Sequence, residues 1–243
     1  MGKDKHKTRQ WMVRVLRAVV VAVPVMLVGG WLAFHHKPVW YRPPRLDERG
    51  VKHARSDAVN TADSISERMV AGAPFTVVLA EQTVNEWLTA LPHAWPEARD
   101  ALPTEIREPA IGFRGGRLWI GAHCKTGDWQ AIVSLGLKVE PSADGAELHL
   151  ALDSVRGGSL PLPKAVVAEA WKRLHRQLCG DSKTRNGTTG PLFDALRDLD
   201  SIDDLHRGVD VANRFVWFNG ERPYRIRSVS IDDGRIKLEI EPL

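Results

Sequence analysis

A chain of 243 residues is long enough for one domain of roughly 200 residues behind a short N-terminal segment. Its formal net charge of +4 is unevenly spread: residues 1–17 hold six Lys/Arg against Asp4 alone, whereas residues 46–243 hold 25 Lys/Arg against 29 Asp/Glu. A mildly acidic body lacks the clustered cations of a nucleic-acid binder, and two cysteines are too few for a disulfide-rich scaffold.

Lys3, Lys5, Lys7, Arg9, Arg14 and Arg17 form a basic tail over 1–17, ahead of an uncharged run from Ala18 to Phe34. Those 17 residues span about 26 Å as a helix, against a hydrocarbon core of about 30 Å, and Leu16 with a snorkelling Arg17 makes up the difference. The cations before the run place the N-terminus in the cytoplasm, and Trp31, Trp40 and Tyr41 suit the far interface. A cleaved signal peptide is the alternative. Leu32-Ala33-Phe34 and the His35-His36 pair are poor flanks for cleavage, and no cysteine follows the run to take a lipid. The expected organisation is therefore a cytoplasmic tail at 1–17, a single-pass signal-anchor helix at 18–34, a linker at 35–45 and an exported domain at 46–243. That domain would sit outside the cytoplasm at the cell membrane.

Leu46 to Met69 reads as a helix, with Val51, Ala54, Ala58, Ala62, Ile65 and Met69 forming a narrow stripe of small side chains. Ala71-Gly72-Ala73-Pro74 stops it, and Phe75 to Leu79 reads as a strand. Thr83 opens a second helix carrying Val84, Trp87, Leu88 and Leu91, expected to end at Pro92. Residues 94–107 are rich in proline and charge and read as loop. Ile111 and Phe113 lead through Arg114-Gly115-Gly116-Arg117 into Leu118, Ile120, Ala122 and Cys124, a hairpin with a glycine turn. Trp119 points to the opposite face, where it suits a second packing surface.

The central stretch, Pro109 to Pro163, reads as antiparallel strands. Trp129, Ala131, Val133, Leu135, Leu137 and Val139 alternate with Gln130, Ser134 and Lys138, although Ile132 and Gly136 blur the pattern. Pro141 to Gly145 supplies turn chemistry, and Leu148, Leu150 and Leu152 then share one face of the next strand. After Pro163 a helix runs to Cys179 with Val167, Ala170, Trp171, Leu174 and Leu178 at helical spacing, capped by Gly180. Asp181 to Gly190 is polar loop, and Leu192, Leu196, Leu199, Ile202 and Leu205 suggest further helix broken near Ser201. Strands at Phe215 to Phe218, Tyr224 to Ile231 and Arg235 to Ile240 close the chain. Ile111 to Ile120 also aligns without gaps on Val229 to Leu238, each being apolar-x-apolar, two turn residues, Gly-Arg and apolar-x-apolar. Turn chemistry alone enforces most of that match.

Candidate chemistry is sparse. His175 and Cys179 lie four apart on a helix and could share a metal with His123 or Cys124, but the latter two are strand neighbours and point to opposite faces. A Cys124–Cys179 disulfide suits an exported domain, and two free thiols are the alternative. No nucleophile elbow, Ser-x-x-Lys pair, phosphate loop or His-Glu-x-x-His motif occurs. The expectation is a non-enzyme without cofactor or metal and with no nucleic-acid partner.

Glu81-Gln82-Thr83-Val84-Asn85-Glu86-Trp87-Leu88, the Gly-Arg hairpin turns and Gly158-Ser159-Leu160-Pro161-Leu162-Pro163 before a helix resemble the YpmS-like group of single-span bacterial proteins. More distantly they resemble tubular lipid-binding (TULIP-type) domains, in which a strongly curved antiparallel sheet wraps a long helix. The resemblance covers roughly residues 45–243. It implies an α+β fold, a curved antiparallel sheet packed on helices, and an apolar ligand held beside the membrane. It supplies no catalytic residue, and the polar stretch from Asp181 to Gly190 departs from it. Leu118, Ile120, Val133, Leu135, Leu137, Leu148, Leu150 and Leu152 are the candidate lining of a lipid groove. The alternative is an interaction or scaffold module with a packed core, meeting an envelope protein through Trp95, Trp119 or Trp129.

Overall fold

The computed structural model describes residues 22, 24–94, 106–126, 129–180, 202–216 and 222–243. In chain order these form helix α1 (24–35), α2 (Glu48–Ala71), β1 (Phe75–Ala80), α3 (Glu81–Ala94), β2 (Ile106–Arg114), β3 (Arg117–Thr126), β4 (Trp129–Pro141), β5 (Glu147–Gly157), β6 (Leu160–Pro161), α4 (Lys164–Gly180), α5 (Ile202–Arg207), β7 (Val209–Ala212), β8 (Phe215–Val216), β9 (Pro223–Asp232) and β10 (Arg235–Pro242). The fold is α+β with antiparallel sheets. No helix among the described residues is long and apolar enough to cross a membrane. The expected span at 18–34 begins outside the described residues, and 24–34 of it is helical.

The strands build two sheets rather than one. The smaller runs β1-β10-β9-β8, and the larger runs β2-β3-β4-β5-β6 with β7 also on β5. The aligned hairpin sequences are β2–β3 and β9–β10, one in each sheet, closed by Arg114↔Arg117 and Asp232↔Arg235. Gly115, Gly116 and Gly234 take left-handed φ in these turns, which their lack of a Cβ permits.

Helix α2 starts where the Asp47 carboxylate accepts from the Gly50 amide at 2.7 Å, and it stops at left-handed Gly72. Its C-terminal Ile65 and Met69 pack with Val77, Tyr224 and Ile240 on the smaller sheet. The buried Tyr224 hydroxyl donates to the Met69 carbonyl. On α3, the Trp87 indole donates to Asp57 of α2 at 3.1 Å.

Several sequence expectations need correction. Helix α3 continues through Pro92 to Ala94 instead of ending there. Proline breaks a helix by losing an N–H and crowding the preceding turn, and so close to the C-terminus little remains to be disrupted. Ile106 and Arg107, expected in a loop, open β2, while 95–105 lie outside the described residues. Strands β6 and β7 were not read from the sequence, because segments of two and four residues are too short to show alternation. Of the helix expected around Leu192 to Leu205, only α5 falls within the described residues.

Candidate functional site

The larger sheet presents one apolar face, and the strand register assembles it. Leu118 stands opposite Leu137 and Leu137 opposite Leu152; Ile120 is opposite Leu135 and Leu135 opposite Val155; Val139 is opposite Leu150 and Pro141 opposite Leu148. A register shift at Gly136/Leu137 lets Leu152 and Val155 share this face. All eight candidate lining residues therefore come together on one surface.

Among the described residues, helices close only part of it. Val167 of α4 and Leu205 of α5 are buried with Leu152 and Val155, and Ala168 and Trp171 pack beside them. Leu152 is 2% exposed, so it is core and not groove lining. Val133, Leu135 and Leu137 are half-buried and pack against that cluster, and on β3 the cover thins further: Leu118 is half-buried and Ile120 is 37% exposed. Leu148 and Leu150 are half-buried on the β5 stretch that β7 edges, opposite Val211 and Val209. Helices α2 and α3 lie elsewhere: α2 on the smaller sheet, and α3 along the β2 edge.

Along that edge α3 substitutes for a missing strand. The Asn85 side chain accepts from the Ile111 amide at 2.7 Å and donates to the Ile111 carbonyl at 2.8 Å. One turn earlier, Glu81 accepts from the Phe113 amide and pairs with Arg114, both at 2.8 Å. Asn213 makes the same two-bond clamp on Ile226 of β9 at 2.9 and 2.7 Å. Both asparagines are buried, and neither role had a signal in the sequence.

The hairpin tips converge on the start of α3. The Gly234 amide donates to the Phe113 carbonyl at 2.9 Å, the Gly115 amide to the Asp233 carboxylate at 3.1 Å, and the Glu81 amide to the Gly234 carbonyl at 2.8 Å.

The opposite face of the larger sheet receives the linker. A Cβ at Gly112 would come within 2.5 Å of the Trp40 ring and one at Gly121 within 2.6 Å, so the two glycines form the slot in which that indole lies. Trp119, only 7% exposed, packs against Trp40 at 6.1 Å between ring centroids, with Arg156 stacked on it at 5.2 Å. Trp119 is thus covered and offers no partner surface; Trp95 and the Trp129 side chain lie outside the described residues. Tyr41, expected at a lipid interface, is 2% exposed and donates to the Glu108 carbonyl at 2.7 Å. Burial, and then the Glu108 charge, pushes its phenol far above the ordinary range. Phe34, by contrast, fills the space over Gly157 beside Leu162; Gly157 stands opposite Val133, so this ring covers one edge of the apolar face, and the Ala33 carbonyl accepts from the Ser159 amide at 2.9 Å. Isolated glycines within strands were the available sign of a close approach.

Cys124 is a half-buried free thiol, and burial raises its pKa. With Cys124 free, the Cys124–Cys179 disulfide is not formed; the side chains of His175 and Cys179 lie outside the described residues, so the metal alternative falls there. Among the described residues no group of three or more His, Cys, Asp or Glu could hold a metal ion.

No family model matches the chain, and neither a curated protein nor a solved structure matches it.

Proposed function

We propose that this chain is a membrane-anchored, extracytoplasmic domain that binds a lipid or another apolar ligand against the least covered part of the apolar face of its larger sheet. The observation that carries the reading is the gradient of cover across one apolar face, from Leu152 at 2% exposure to Ile120 at 37%. A half-covered apolar face next to a short tether is suited to an acyl chain, which gains about 0.8 kcal/mol per CH₂ removed from water. Kinship with the YpmS-like group, and the anchor at 18–34 with its cytoplasmic N-terminus, belong to the same proposal. The docked end of α1 supports it by keeping the sheet close to where an anchor would emerge.

Trp40 and Tyr41 are part of the packing, so the test keeps the full chain. After purification in a detergent free of lipid, extraction and mass spectrometry are expected to find close to one lipid per chain. Leu135→Asp is expected to abolish that lipid while leaving the circular-dichroism melt nearly unchanged, because a half-buried carboxylate at a groove keeps water within reach. A lipid-free chain, or a Leu135→Asp variant that unfolds, refutes the reading and favours an envelope scaffold with a packed core.

A further inference from the structure

The docked end of α1 determines which part of the domain would meet a bilayer. Besides the Ala33–Ser159 bond at 2.9 Å, Ser159 Oγ lies 2.8 Å from His36 Nδ1. The β5–β6 corner therefore sits within hydrogen-bond reach of the last turn of the apolar helix. With 18–34 as the span, Ala33 is at the interface, and the corner is at the same depth.

Beyond this corner the chain is exposed and apolar. Pro161, Pro163, Ala165 and Val166 all face solvent, Val166 at 52%, and Val39 of the linker is 74% exposed. Scattered exposed valines are ordinary surface, so the deciding feature is charge. The two segments that meet here, 31–45 and 154–168, contain Lys37, Arg42, Arg45, Arg156 and Lys164 and no Asp or Glu. With Arg156 and Lys164 set aside, the rest of residues 46–243 holds 23 Lys/Arg against 29 Asp/Glu. The rest of the domain carries a net acidic excess, whereas the segments that meet at the helix end carry cations alone.

The geometry points to the β6–α4 corner, residues 159–166 including Lys164, with Lys37 following the His36 that meets it, as a surface that lies on a bilayer containing anionic phospholipid. Pro161, Pro163 and Val166 enter the interfacial layer, and the cations face lipid phosphates. A negative leaflet attracts this rim within a Debye length of about 8 Å and repels the acidic remainder, which orients the domain. The inference rests on the anchor half of the proposed function and is independent of the ligand half.

The test uses the full chain in phosphatidylcholine vesicles with or without phosphatidylglycerol. In a Cys124→Ala, Cys179→Ala background that keeps the native circular dichroism, an environment-sensitive fluorophore is placed on Val166→Cys, and separately on Val28→Cys. Expected is quenching of the Val28→Cys label by spin-labelled lipid in both vesicle types, and of the Val166→Cys label only with phosphatidylglycerol. Lys37→Gln and Lys164→Gln should each lower the docked-to-undocked ratio about five-fold. A Val166→Cys label open to aqueous iodide beside a lipid-quenched Val28→Cys label overturns the docking surface and leaves the anchor standing. Equal quenching of the Val166→Cys label in both vesicle types overturns the anionic assignment. Aqueous access at both positions overturns the anchor and the docking together.

Discussion

Asn85→Ala tests whether a side chain can do the work of a neighbouring strand. Strand β2 is the edge of its sheet, and Asn85, 4% exposed, holds both outward groups of Ile111 at 2.7 and 2.8 Å. Each neutral hydrogen bond contributes about 1 kcal/mol net, and a backbone group left dry and unpaired costs about 1–3 kcal/mol. Ile111 is half-buried, so water partly compensates, and the expected loss is about 2–3 kcal/mol. For a domain of roughly 200 residues that is a fall in Tm of about 4–12 °C. Asn85→Asp keeps the shape and separates the two bonds. One oxygen still accepts from the Ile111 amide, while the other faces the Ile111 carbonyl and is repelled as long as the carboxylate is ionised. Protonation restores the missing donor, so the introduced carboxyl has a folded pKa above its unfolded value of about 3.9. Its contribution is complete below that value and is lost as pH rises through the folded pKa. Urea unfolding followed by circular dichroism across roughly pH 3.5–7 reads both variants. A loss under about 0.5 kcal/mol for Asn85→Ala, or a flat pH profile for Asn85→Asp, refutes the clamp.

Gly121→Ala places a methyl 2.6 Å from Trp40 and 3.2 Å from Tyr41, and is expected to cost about 1–3 kcal/mol as overpacking. In a Trp40→Ala background most of that cost should vanish, and additive losses in the double-mutant cycle would mean that Trp40 does not occupy the slot. Glu81→Gln removes the pair with Arg114, whose side chain is 39% exposed, and weakens the bond from Phe113; a loss of about 1 kcal/mol that shrinks in high salt is expected by denaturant titration. The Tyr41 phenol should stay protonated when a free tyrosine, at 10.0, ionises, so an absorbance titration of the native chain should miss it. Above that pH the unfolded chain releases a proton that the folded chain keeps, so stability falls as pH rises further; ionisation of Tyr41 near 10 without unfolding would contradict its burial.

Alternation and turn chemistry made the central hairpin readable, and the register then put Leu118, Leu137 and Leu152 side by side as their phase implied. What the pattern could not carry was which helix lies on which face. The small-residue stripe of α2 and the Trp87 face of α3 were compatible with covering either sheet, because periodicity marks an apolar side and is silent about its partner. Leu152 and Ile120 looked alike in sequence, and only the positions of α4 and α5 make one core and the other surface. Trp40 and Tyr41 looked like interface aromatics because composition near an apolar run is read against lipid. Gly112 and Gly121, 71 or more residues downstream, were the places to see that the sheet itself receives them.

The meeting of the two hairpin tips bears on how the molecule comes apart. Glu81 gives its amide to Gly234 in one sheet and its carboxylate to Phe113 and Arg114 in the other, so neither sheet can separate without breaking the first turn of α3. The Gly234–Phe113 and Gly115–Asp233 bonds tie the two tips directly as well. With Glu81 and the two tips bonded across the sheets, heat or urea should produce a single cooperative transition, with tertiary and secondary signals lost at the same midpoint.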